Sequence, residues 1–500
     1  MRCLFFSVCN LQSLLLPSFA SRLTSSPGKG FPLVPWLLNL IYALLLIAVS
    51  PWLAFRAATQ GKYRAGWREK LGGLVPERKS DAPCIWLHAV SVGEALQLQP
   101  VLEMLAARCP GYEFVISTTT TTAFELATKK YSQHRVIYFP LDFTWSVRRA
   151  LARIRPTEVV LVELELWPNF ILAAVARDIP VMLINGRISE RSFRGYSRIR
   201  PLISRLLQRM SVLAVQNETY AQRLRKLGAD PARISVTGSI KFDRVETDRN
   251  NPRTTELRRA FGFVETDRIF IAGSTQAPEE RLAIETYLAL QTQHPDLRLV
   301  LVPRHQERFE EVARLVTDTF HLPLIRRSVA VTPSGRGWSA SRSPGELDAA
   351  TPGASLRSSP GHPLTQNATP SIRLLDTLGE LAACWGLAEI AFVGGSLGSR
   401  GGQNMIEPSS YGAAVCFGPN TQNFRDVVDL LLQNDAAVVV ADGTALQDQV
   451  DWCLTHPNEA AACGERARQL VQAQRGATAK TVDCIVSGIP ARPSEETRAA

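Results

Sequence analysis

The chain has no CxxC pair and no HxxxH spacing: its nine cysteines and seven histidines are dispersed over 500 residues. A disulfide framework, a zinc site or a histidine-based metal centre needs regular spacing, so none of them has support. GxGxxG and GxxxxGK[ST] are also missing, which removes the dinucleotide fingerprint and the P-loop. Acidic residues fall short of basic ones, 46 against 56, leaving a net charge of +10. Such a balance suits an anionic partner, and net charge alone does not choose between nucleic acid, phospholipid and a phosphorylated substrate. With 45% hydrophobic and only 20% charged residues the composition is globular. The length exceeds what one core serves and implies two principal domains.

Charge is wholly missing from residues 31–55. A helix over that run would span roughly 37 Å, more than the roughly 30 Å hydrocarbon core of a bilayer. Trp36 and Tyr42 toward one end and Trp52 at the other form an aromatic belt, while Pro35 and Pro51 are expected to confine the regular helix between them. Arg56, Lys62, Arg64, Arg68 and Lys70 follow, and the positive-inside rule puts that flank and the body behind it on the cytoplasmic side. Residues 31–55 are therefore read as a single membrane anchor and 1–30 as an N-terminal extension. Two alternatives stand beside this: a cleaved signal peptide over 1–20, with Arg2, Ser18 and Ala20, and a shallow interfacial helix.

Beyond Pro83, expected strands at 84–88, 113–117, 135–139, 158–163, 180–184 and 212–216 alternate with amphipathic stretches such as 94–107 and 201–209. Strict alternation implies parallel βαβ units in a doubly wound sheet. Residues 246–253, with Asn250, Asn251 and Pro252, read as an interdomain linker. The rhythm restarts with strands at 269–272, 297–302, 389–393 and 413–417 and helices at 278–293 and 306–318. Residues 328–370, rich in Ser, Pro, Gly and Thr, read as a disordered surface-loop insertion. The expected fold class is α/β: two Rossmann-like domains, 56–245 and 246–485, facing a central cleft, with a tail over 486–500.

The loops at the ends of these strands hold the candidate chemistry. Glu94 opens a helix after the first strand. It is either a general base within reach of an acceptor hydroxyl or an acid that merely complements the helix dipole. Glu163 and Glu165 share one face of a strand end, either for the reaction or for a salt bridge with Arg187 or Arg191. Lys241 is suited to neutralising a leaving phosphate, although most lysines are only solvated charges. In the second half Gly273-Ser274-Thr275 precedes a helix, Pro303-Arg304 ends a strand with a phosphate-binding fork, and a glycine-rich run leads to Asn404 and Glu407, the latter able to accept ribose hydroxyls. Together these loops favour a nucleotide-linked donor.

The ordered motifs HAVSVGE, VELELWPN, NGRISERS, QNETYAQRLRKLGA, VTGSIKFD, AGSTQAPEE, LVPRHQERF, DTLGEL and FVGGSLGSRGGQNMIEP resemble those of the 3-deoxy-D-manno-octulosonic acid (Kdo) transferases, glycosyltransferase family 30. The resemblance runs from about Tyr63 to the C-terminal region. It implies the glycosyltransferase B architecture, a CMP-Kdo donor, and a phosphorylated lipid A precursor (tetraacyldisaccharide 4'-bisphosphate, lipid IVA) as acceptor in lipopolysaccharide core biosynthesis. It also implies inversion at the anomeric carbon, no metal, no cofactor, no nucleic acid, and a place at the inner (plasma) membrane surface. By the same resemblance Glu94 is the proton acceptor, and Glu163 and Lys241 stabilise the transition state. Pro303, Arg304, Leu378, Gly379, Glu380, Asn404, Met405, Ile406 and Glu407 meet CMP, with Ser274 beside them. Gln276 departs from the family pattern, which reads His or Ile there. The nearest alternatives are another membrane-associated sugar transferase of this architecture and a UDP-sugar epimerase-like enzyme, separable by competition with CMP or UDP. A non-catalytic nucleotide sensor is disfavoured by the joint presence of Glu94, Glu163 and Lys241.

Overall fold

The computed structural model describes residues 33–60, 65–329 and 371–489. The extension 1–30, the insertion 328–370 apart from Ser328 and Val329, and the tail beyond Ile489 lie outside them. The chain divides into two units, one ending at Arg244 and regaining the chain from Gln474, the other Val245–Ala473.

The first described element is helix α1 (Leu33–Gln60). Its segment Pro35–Thr59 is long and apolar enough to cross a membrane, with a mean hydropathy of 2.1. The helix continues through Pro51 instead of stopping there. Proline removes the N–H that would bond the carbonyl four residues back, and the Ser50 hydroxyl supplies the missing donor to that Ile47 carbonyl at 2.8 Å.

The first unit is built on seven parallel strands: β1 (Cys84–His88), β2 (Glu113–Thr118), β3 (Arg135–Tyr138), β4 (Glu158–Val162), β5 (Val181–Gly186), β6 (Val212–Val215) and β7 (Ile234–Val236). Their order is β3-β2-β1-β4-β5-β6-β7. Strand β1 is buried throughout, and alternation sends Cys84 and Trp86 into one apolar layer and Ile85 and Leu87 into the other, as a parallel sheet covered on both faces requires. Three of the covering helices, α2 (Val92–Arg108), α3 (Thr144–Ile154) and α4 (Pro168–Val175), matter for the site.

The second unit has β8 (Arg268–Thr275), helix α5 (Glu279–Leu290), β9 (Leu297–Pro303), β10 (Leu324–Arg326), β11 (Ile372–Leu374), β12 (Ile390–Val393), β13 (Ala414–Phe417) and β14 (Val438–Val439). These strands form a parallel sheet in the order β10-β11-β9-β8-β12-β13-β14. The α/β class and the paired Rossmann-like sheets are as the alternation implied.

Several expected boundaries change. The stretch 246–253 is not wholly a linker, because Pro252 opens a helix whose N-cap Asn251 accepts the Thr254 N–H at 3.0 Å. Arg249 is pinned to the second unit by donating to the carbonyls of Tyr411 at 2.8 Å and Ala388 at 2.8 Å. The helix expected over 306–318 breaks into a 3-10 turn, a short α-helix and a π-turn. The expected second domain ran to 485, yet helix α6 (Ala477–Gly488) belongs to the first unit. Asp243 accepts N–H bonds from Gly476 and Thr478 at the start of α6. Val482 and Ile485 join the layer of Leu98, Met182 and Ala214; full burial of such side chains stabilises by about 1.5–3 kcal/mol each.

Candidate active site

In an open parallel sheet, ligands bind beyond the carboxyl ends of the strands where the strand order reverses. In the first unit that point lies between β1 and β4, which pair His88 with Leu161 near their ends. The chain leaving β1 reaches Glu94, and the chain leaving β4 reaches Glu163. Two of the three candidate catalytic residues therefore flank the switch point.

Glu94 is 1% exposed in the first turn of α2. Its Oε2 accepts the Val90 N–H at 2.8 Å and its Oε1 accepts the Ser91 hydroxyl at 2.8 Å. Ser91 is the N-cap and accepts the Glu94 N–H at 3.3 Å, an arrangement close to a capping box. The carboxylate is thus oriented by its own helix start, and the helix-capping reading of this residue has a concrete structural basis. Glu163 sits at φ +59°, a left-handed backbone that costs a non-glycine residue roughly 1–3 kcal/mol and gathers at functional sites. Next to these, His88 is fully buried, stacked on Phe139 at 3.7 Å, and burial pushes it down to about 3, so its ring is neutral at neutral pH.

Lys241 lies in the 3-10 turn Ile240–Phe242. Asn185 ties this turn to the helix of Glu94, because its Oδ1 accepts the Ile240 N–H at 3.4 Å while its amide donates to Gln97 on α2 at 2.8 Å. The sequence reading did not single out Asn185. Its signal was the Asn-Gly pair, since asparagine tolerates the left-handed backbone seen here at φ +51°.

A cavity of about 430 Å³ opens in the first unit beside these strand ends, within the roughly 300–1,000 Å³ usual for ligand sites. Val90, Thr119, Glu163 and Arg187 line one part, and Leu45, Leu46, Val49 and Leu53 of α1 line another. Thr119 is 4% exposed, and its hydroxyl has no partner among the described residues. Lys70, expected in the exposed basic flank, instead lines this cavity with its side chain buried. Its ammonium stands 4.1 Å over the Tyr138 ring, and burial pushes it down to about 8 against the raising effect of Glu69.

In the second unit the switch point lies between β8 and β12. Ser274, at the end of β8, is 6% exposed and left-handed at φ +56°. Arg304 follows Pro303 at the end of β9, and its N–H donates to the Thr275 carbonyl at 3.0 Å. Asn404 donates to Glu407 Oε1 at 2.9 Å. Burial pushes the Glu407 carboxyl up, opposed by the Asn404 bond and by the charge of Arg304. Met405 and Ile406 bury their side chains in the unit. Leu378 is 68% exposed beside Gly379 at φ +85°, whereas the Glu380 carboxylate is held by Arg327 at 2.9 Å and by the Thr377 hydroxyl.

The glycine-rich run is held by a residue outside the candidate set, Glu279 at the start of α5. Glu279, 1% exposed, accepts N–H bonds from Gln276 at 2.9 Å, Gly395 at 2.7 Å, Ser396 at 3.0 Å and Leu397 at 3.0 Å. A Cβ on Gly394 would lie 2.6 Å from Thr275 Cα, so this close approach requires glycine. Among the described residues no group of three or more His, Cys, Asp or Glu is placed to hold a metal ion.

A family model described as 3-deoxy-D-manno-octulosonic-acid transferase (kdotransferase) matches residues 65–244. The chain is 30% identical to the 3-deoxy-D-manno-octulosonic acid transferase of Bordetella pertussis, over 89% of this chain and 98% of that one. It is 28% identical to the enzyme of the same name from Haemophilus influenzae, over 89% of this chain and 97% of that one. Among solved structures, UDP-GlcNAc 2-epimerase from Neisseria meningitidis aligns with a TM-score of 0.51 at 13% identity, covering 81% of this chain and 100% of that one. That likeness is one of fold alone.

Proposed function

The chain belongs to the 3-deoxy-D-manno-octulosonic acid (Kdo) transferase family, and from that premise we propose the particulars of its reaction: Kdo passes from CMP-Kdo to a phosphorylated lipid A precursor, lipid IVA, with inversion at the anomeric carbon. The acceptor hydroxyl oxygen forms the new bond to that carbon. The bond from the carbon to the CMP phosphate breaks, and CMP leaves with the electron pair. Glu94 takes the hydroxyl proton, a task for a carboxylate oriented within hydrogen-bond reach. Glu163 and Lys241 stabilise the charge that develops in the transition state. Ser274, Pro303, Arg304, Leu378, Gly379, Glu380 and residues 404–407 receive the nucleotide.

The observation that carries this reading is the flanking of the β1–β4 switch point by Glu94 and Glu163, with a cavity at Glu163 that is apolar on its α1 side. A lipid acceptor needs both features in one unit. The apolar α1 and the basic residues after it support attachment to the cytoplasmic face of the inner membrane. Incubation with CMP-Kdo and a tetraacylated disaccharide bisphosphate, read by mass spectrometry, should give a product heavier by Kdo and inhibition by CMP rather than UDP. Stronger competition by UDP, with no sugar added, would favour an epimerase-like activity instead.

A further inference from the structure

Helix α1 presents two apolar faces. Trp36, Leu40, Leu44, Ile47 and Phe55 are 57% or more exposed along one, at the spacing of a helical stripe. Leu45, Leu46, Val49 and Leu53 turn toward the first unit and line the cavity that also reaches Glu163. A membrane tether is apolar all round but needs no polar lock to the domain it carries, and α1 has one. Asn39, 6% exposed, donates to the Thr144 hydroxyl at 2.8 Å and accepts the Thr144 N–H at 3.1 Å and the Asn169 amide at 3.3 Å. The Tyr42 hydroxyl donates to Asp142 at 3.1 Å. A buried amide is costly unless its bonds are made, so the lock holds only while α1 lies against the unit.

We propose that this cavity seats an acyl chain of the acceptor glycolipid, so that the anchor helix is a wall of the acceptor site and selects for acylation. The inference rests on the lipid acceptor read above. Continuity supports it: one helix bears both the outward apolar stripe and the apolar wall of the cavity. At the other end the Thr119 hydroxyl, unpartnered among the described residues, and Val90, whose N–H holds Glu94, suit the polar head at which transfer occurs.

The test compares kcat/KM for the tetraacylated acceptor with that for its fully deacylated, water-soluble counterpart, in detergent micelles with saturating CMP-Kdo. Leu46→Trp and Val49→Phe, which fill the cavity, should each lower the acylated-to-deacylated ratio at least tenfold through KM, the effect of losing about two buried methylenes. Ile47→Trp, on the outward stripe, should leave that ratio where it is. Melting temperature and CMP affinity report whether each variant is folded. An unchanged ratio in folded Leu46→Trp and Val49→Phe overturns the proposal while the transferase reading stands. So does an unchanged ratio with looser binding to phosphatidylglycerol vesicles, which would make a bilayer phospholipid the occupant. Failure of the unaltered protein to use either acceptor overturns the function reading itself.

Discussion

Ser91 and Glu94 cap one another across the first turn of α2, the serine hydroxyl donating to Glu94 Oε1 at 2.8 Å while the Glu94 N–H donates to Ser91 Oγ at 3.3 Å. This reciprocity means that a loss of activity on mutating Glu94 has two possible origins, proton transfer and helix capping, and the two must be separated.

Ser91→Ala removes the cap and leaves the carboxylate. It should cost about 0.5–2 kcal/mol of stability and retain most of the transfer rate. Glu94→Gln should lower kcat by roughly 10²-fold or more, the usual contribution of a general base, with CMP affinity within about twofold of the starting value. Parallel kinetics, calorimetry and melting curves decide. Equal losses of kcat in the two variants would make Glu94 a capping residue only.

Glu279→Gln keeps one carboxylate-like oxygen and puts an NH₂ against N–H donors of the glycine-rich loop. Hydrogen bonds to a charged group are worth about 1.5–3 kcal/mol, so CMP affinity should fall about tenfold as Gly395 to Leu397 loosen, together with a lower melting temperature. Titration calorimetry measures the first effect. Unchanged affinity and melting would remove Glu279 from any role in shaping the donor loop.

Glu158 is buried at the start of β4, neither oxygen has a partner among the described residues, and burial pushes its carboxyl up to about 8. The folded value exceeds the unfolded one, so the folded state holds a proton that the unfolded state has released. The contribution to stability is therefore full below about pH 4.3, falls as pH rises, and is lost by about pH 8. Glu158→Gln lacks this slope. Its melting temperature should gain on that of the unaltered protein from pH 5 to 8 and then keep a constant offset. A difference that is flat with pH would mean that Glu158 is ionised in the fold.

A chain begun at Ala57 loses Asn39, Tyr42 and the α1 wall but nothing of the second unit, so CMP binding should persist. Its membrane association should weaken, with a remnant from Arg68 and its basic neighbours, worth roughly 1 kcal/mol per charge, that disappears at high salt. Fractionation at two ionic strengths reads both contributions. Sedimentation with membranes as tight as for the full chain, even at high salt, would show that α1 is not the principal anchor.

The alternation of apolar strands and amphipathic helices was legible wherever strands were long and buried on both faces, as in β1, β4 and β9. It was not legible for β7, β10, β11 and β14, which have two or three residues each and so too few to set a period. Local punctuation misled at Pro51, because the rescue by Ser50 is a side-chain bond that residue type alone does not reveal. The motifs marked the strand ends that carry Glu94, Glu163 and Arg304. They did not reveal Glu279 or Asn185, whose parts depend on loops more than a hundred and about fifty residues away, respectively. Lys70 looked like one more solvated cation because charge patterning carries no information about burial.

The return of α6 to the first unit has a consequence for how the protein is made. Asp243 and its partner Gly476 are 233 residues apart, a stretch that takes roughly 10–50 s to synthesise at about 5–20 residues per second. Throughout that interval the side chains of Leu98, Met182 and Ala214 that Val482 and Ile485 will cover stay open, although the first unit has already been synthesised as far as Arg244. The second unit can complete its own core before the first is closed. The order of completion thus reverses the order of translation, and an interruption anywhere in the second half leaves an unfinished apolar face in the first.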